Sequence, residues 1–67
     1  MNSLAWKDCG DSKSVLFRDG GQVLAEIIYA GHGTWSIKVL HRARGVWVGR
    51  DSAKAACEGL VRKEYAS

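Results

Sequence analysis

The sequence predicts an α+β fold: an antiparallel meander sheet of three to four strands with one C-terminal helix packed on one face. Three features of its 67 residues carry that prediction. Residues 52–65 repeat apolar side chains at helical spacing. Residues 34–41 alternate apolar and polar side chains at strand spacing. Asp19-Gly20 and Gly31-His32-Gly33 punctuate the preceding stretch as turns. A chain of this length makes one domain, 1–67, with 1–13 irregular or a short edge strand, 14–50 antiparallel strands and 52–65 helix. A domain this small buries only ~60% of its unfolded surface, so its core is thin.

Each element has its own reason. Leu4 and Trp6 alternate, and Trp6 is expected to act as a lid on the core. Val15-Leu16-Phe17 leads into Arg18-Asp19-Gly20-Gly21, where an Asp-Gly pair supplies the positive φ of a hairpin turn. Residues 23–29 return as a central strand: Val23, Ala25, Ile27 and Tyr29 share one face, Leu24, Glu26 and Ile28 the other, and neither face is polar throughout. After the Gly31-His32-Gly33 turn, Trp35, Ile37 and Val39 point to the core while Ser36 and Lys38 point away. Arg42-Ala43-Arg44-Gly45 is expected to turn the chain again, and residues 46–50 close the sheet. Asp51 is placed as the helix N-cap. Ala53, Ala56, Cys57, Leu60 and Val61 then form one apolar stripe, with Lys54, Glu58 and Arg62 outward. Gly59 weakens the helix by about 1 kcal/mol relative to alanine.

Composition bounds the function. The chain is 46% hydrophobic and 25% charged with no proline, which is the balance of a folded domain rather than a disordered one. No apolar window approaches a membrane span, and the first residues lack a basic start and an apolar core, so a cytoplasmic location is expected. The two cysteines, Cys9 and Cys57, have no metal-binding spacing; Cys57 reads as a buried hydrophobe and Cys9 as a spare thiol, with a bridge between them the minor reading. His32 and His41 sit at opposite ends of one strand, ~23 Å apart, and do not share a metal. No P-loop, GxSxG, GxGxxG or HExxH motif is present, and a thin core leaves little room for a pocket that excludes water. No enzymatic activity, cofactor or metal is expected.

Charge is more informative. The net charge is +3, and residues 38–50 hold Lys38, Arg42, Arg44 and Arg50 with His41 and no acid, leaving six basic against seven acidic residues elsewhere. A basic excess confined to one hairpin favours an anionic partner, nucleic acid first, or else is a solvated hairpin tip. Parity leaves Trp47 either exposed beside Lys38, where it would stack on a base or sugar, or packed in the core. The candidate nucleic-acid contacts are therefore Lys38, Arg42, Arg44, Trp47 and Arg50. A short sheet also has a bare edge, which invites a partner strand or a second copy.

Val48-Gly49, one spacer, and Asp51-Ser52-Ala53-Lys54-Ala55-Ala56-Cys57-Glu58 resemble the C-terminal signature of very small phage and prophage proteins, which carry a Trp near the start, strands, and an "AKAACE" helix. Trp6, the central strands, Val48-Gly49 and residues 53–58 match in order, although the acidic insertion before "AK" is shorter here. The resemblance implies a phage or mobile-element origin and brings no activity with it. Residues 23–61 are also similar in layout to AP2-type and integrase arm-type DNA-binding domains, with three strands, a Trp-x-Gly and an Ala-rich helix. That likeness implies DNA contact by Trp47, Lys38, Arg42 and Arg44 through the sheet, although residues 23–29 carry only Glu26 where those domains have a dense Arg/Trp pattern. The sequence thus points to a small phage-type accessory protein that binds DNA or RNA weakly through the 38–50 hairpin. The alternative is a protein-interaction module that binds a host or phage protein, or pairs with itself.

Overall fold

The computed structural model describes residues 4–18 and 20–65; Asp19, from the expected Asp-Gly turn, lies outside the described residues. Five strands and a helix follow one another: β1 (Leu4–Asp8), β2 (Lys13–Arg18), β3 (Val23–Gly31), β4 (Thr34–Val39), β5 (Arg42–Val48) and α1 (Arg50–Tyr65). The strands lie in the order β1-β2-β3-β4-β5 with every neighbouring pair antiparallel, and α1 packs over β4 with β3 and β5 on either side. The α+β class, the antiparallel meander and the single helix are as expected. The sheet has five strands rather than three or four, because the segment ahead of residue 13 pairs fully with β2, from Leu4 opposite Arg18 to Asp8 opposite Ser14.

The face under α1 is the core. Leu16, Leu24, Ala25, Ile27, Trp35, Ile37 and Val39 of the sheet meet Ala53, Cys57 and Val61 of the helix, all buried. Leu60, expected in the core, is half-buried and packs against it. Trp6 is the expected lid: half-buried, it packs on the core and its indole Nε1 donates to Glu58 Oε2 at 2.7 Å, which ties β1 to α1. Tyr29 shares the face of Ile27 as expected, opposite Trp35 in the ladder, but it is exposed there, edge-to-face against Trp35 with ring centroids 5.4 Å apart.

Two strand irregularities break the simple parity. In the β2–β3 ladder Leu16 faces Ala25 but Phe17 faces Val23, so Leu24 is an extra residue; it turns inward and leaves Val23 exposed. In the β4–β5 ladder Ile37 faces Gly45 but Lys38 faces Ala43, so Arg44 is the extra residue.

The turn between β4 and β5 is also not where the sequence suggested. It is made by Leu40 and His41, both in the left-handed region (φ 50° and 70°), and residues 42–45 belong to β5. Arg42 and Arg44 are thus strand residues, not a hairpin tip. Left-handed backbone is unfavourable for residues with a Cβ, and two in succession is the geometry that Asn-Gly normally provides. Replacing exposed His41 with glycine should stabilise the domain by ~0.5–1 kcal/mol, seen as a higher urea midpoint at constant m-value.

The helix begins at Arg50 rather than Ser52. Gly49 (φ 90°) turns the chain out of β5, and the Ala53 amide donates to the Gly49 carbonyl at 3.1 Å. Asp51, expected as the N-cap, therefore lies inside the first turn, where its charge still suits the helix N-terminus.

Candidate interaction surfaces

The five residues proposed as nucleic-acid contacts fall in different places. Residues opposite one another in a ladder point to the same face, so the register assigns them. Trp47 lies opposite Trp35 on the α1 side, half-buried against the core. Of its two possible orientations the inward one is found, and Val46 and Val48 take the outward one instead. Lys38 points to the other face, where it shares Glu26 with Lys13 at 3.8 and 3.4 Å. Arg44 turns to the helix side and pairs with Glu64. Arg42 is exposed at the start of β5 and has no ionic partner among the described residues. Trp47 is not exposed beside Lys38, and no single basic surface joins the five.

Arg50 has a structural role. At the start of α1 its guanidinium stacks over the Trp35 ring, 4.8 Å from the centroid, and donates to the Ser14 hydroxyl from Nη2 at 2.8 Å and from Nε at 3.2 Å. Ser14, fully buried, donates in turn to Asp8 Oδ1 at 2.7 Å. Asp8 also faces Arg50 at 3.4 Å and Lys54 at 3.5 Å. The Ser14 hydrogen bond, aided by both cations, holds the Asp8 carboxyl below its ordinary value. This network joins β1, β2 and the helix start.

The cysteines differ sharply. Cys9 is exposed, and Cys57, on the sheet-facing side of α1, is buried. Burial, with the neighbouring Glu58 charge, pushes the Cys57 thiol up to about 11. Both are free, so the minor reading of a bridge is not what the structure contains. In the native protein at neutral pH a thiol reagent should titrate one cysteine rapidly, and a Cys9→Ser variant should react only on unfolding; mass spectrometry after timed labelling checks this. Among the described residues no cluster of His, Cys, Asp and Glu could hold a metal ion, and no helix is long and apolar enough to cross a membrane.

The face opposite α1 is uncovered among the described residues. Cross-strand pairing runs a polar row over it, Lys7–Val15–Glu26–Lys38–Ala43. A second row, Lys13–Ile28–Ser36–Val46, lies beside it, with Thr34–Val48 beyond. Ile28 is 40% exposed, Val46 57% and Val48 74%, which makes an apolar strip where a two-layer fold has nothing to cover it. The alternation of Val46 and Val48 is visible in the sequence. Which way it points is set by the extra residue at Arg44, and that is not.

Comparison with family models, with curated proteins and with solved structures gives no match for this chain.

Proposed function

We propose that this domain is a small accessory protein that acts by binding another protein through the sheet face opposite α1. The observation that carries this reading is the exposed strip of Ile28, Val46 and Val48 on an otherwise ordered sheet. Large apolar side chains gathered on one uncovered face are the usual mark of an interaction surface. The "AKAACE" resemblance supports a phage-type origin for it. The test is capture from nuclease-treated host lysate by the domain and by a Val46→Asp/Val48→Asp variant. A protein retained by the first and lost by the second supports the reading. Capture that ignores the substitutions, or that depends on nucleic acid, overturns it.

A second reading, weak binding of DNA or RNA through residues 38–50, is favoured by the net charge of +3 and by exposed Arg42, which has no ionic partner among the described residues. Against it stand the carboxylate partners of Lys38, Arg44 and Arg50. Amide shifts confined to residues 36–50 on titration with short duplex or single-stranded DNA at low salt would promote it, with a salt slope no steeper than about −3 to −4.

A further inference from the structure

The open face has a shape as well as a composition. Along β4 the outward side chains are Thr34 and Ser36, both small, with Lys38 at one end. On one side, β3 raises Ile28; on the other, β5 raises Val46 and Val48. The result is a shallow trough with an apolar pair on the β5 side and, on the β3 side, a single isoleucine set between Glu26 and Gly31. Strands lie ~4.8 Å apart, so Ile28 on β3 and the valines on β5 stand ~9.6 Å apart, close to the lower end of the ~10–12 Å diameter of an α-helix with its side chains. The same three strands already carry α1 on the opposite face. A second helix over β4 would complete a three-layer α/β/α arrangement.

Charge narrows the occupant further. Lys13, beside Ile28 on β2, and Lys38, at one end of the trough, share the single carboxylate of Glu26, and Lys7 lies at the far end of the row that holds Lys38. Among the described residues the face therefore carries three lysines against one glutamate, and it is cationic beside its apolar side chains. Two copies placed face to face would oppose like charges across the contact, which disfavours a second copy as the occupant. A partner with carboxylates beside its apolar stripe would be attracted.

We propose that the trough formed by β3, β4 and β5 seats an amphipathic helix of a partner protein, with an apolar stripe against Ile28, Val46 and Val48 and with Asp or Glu flanking it opposite Lys13 and Lys38. This rests on the protein-binding reading above and adds the class of partner. Helix-in-groove recognition of this kind needs only an apolar seat and a polar margin that fixes orientation.

The test uses three synthetic 16-residue peptides titrated into the ¹⁵N-labelled domain: one with a leucine stripe flanked by glutamates, its twin with lysines in place of the glutamates, and a variant of the first in which two central residues are replaced by proline. The glutamate peptide should shift the amides of residues 28, 36, 46 and 48, and bind about tenfold more tightly than either control. A Lys13→Gln/Lys38→Gln variant, with dispersion showing that it is folded, should bind the glutamate and lysine peptides about equally. Equal binding of both peptides to the unaltered domain overturns the acidic flank. Equal binding of the proline variant overturns the helix. Light scattering that shows a concentration-dependent dimer abolished by Val46→Asp/Val48→Asp makes a second copy the occupant and overturns the proposal. Failure of all three peptides alongside a capture dependent on Val46 and Val48 leaves the interaction face and removes the helix; failure of both experiments removes both.

Discussion

Ile37→Ala should lower the unfolding free energy by about 2–5 kcal/mol, while Ile28→Ala should change it by less than about 1 kcal/mol. Both isoleucines are in the middle of the sheet, on adjacent strands, yet Ile37 is fully buried under α1 and Ile28 is 40% exposed on the opposite face. Truncating Ile37 removes apolar burial and leaves a cavity between sheet and helix. Truncating Ile28 removes surface that water already reaches. A domain of 67 residues is stable by only ~3–10 kcal/mol, so the first variant should be substantially unfolded at 37 °C. Urea denaturation of the two variants side by side makes the comparison. Similar losses at both positions would mean that the two faces of the sheet have been wrongly assigned.

Arg50→Ala should cost about 2–3 kcal/mol, several times more than Arg42→Ala, which should lie within about 0.5 kcal/mol of the parent. Removing Arg50 deletes its stacking on Trp35 and withdraws two donors from the buried Ser14 hydroxyl. It also separates the start of α1 from β2. Because Arg50 and Ser14 act on one another, losses from Arg50→Ala and Ser14→Ala should not add, and a double-mutant cycle measures the coupling. Asp8 gives the same network a pH signature. Its carboxyl sits below the ordinary value in the folded protein, so its contribution is present above the unfolded carboxylate pKa of ~3.9 and is lost as pH falls through the folded value. Asp8→Asn should therefore flatten the stability curve below about pH 4 and leave it unchanged in shape near pH 7. At high salt the difference should shrink, because Asp8 is well exposed.

Much of this fold is written in local pattern. The alternation of Trp35, Ile37 and Val39 and the stripe of Ala53, Cys57 and Val61 were both legible, and both are buried. What was not legible depends on single extra residues and on long-range pairing. The Leu40-His41 turn has neither glycine nor asparagine to announce it, so Arg42 and Arg44 looked like a tip and are strand. The extra residue at Arg44 decides which of Trp47 and Val46 points outward, and periodicity alone cannot place it. β1 is five residues long and offers only Leu4 and Trp6 as an apolar alternation, which hides its full pairing with β2. Arg50 looked like one more cation in a basic segment. Its partner Ser14 lies 36 residues earlier, beyond the reach of any window along the chain.

The meander order has a consequence for how the domain is made. Every strand pairs with the one synthesised just before it, so each hairpin closes a short loop at small entropic expense and forms early. The cover for the core is α1, which follows the whole sheet. Until those 16 residues have emerged, Leu16, Ile27, Ile37 and Val39 are bare on one side and Val46 and Val48 on the other. The nascent sheet is then sticky on both faces with two unpaired edges, and in that interval, rather than in the finished molecule, association with other chains is the greatest hazard. Fast docking of α1 protects the product, and substitutions that slow it should show first as lower soluble yield.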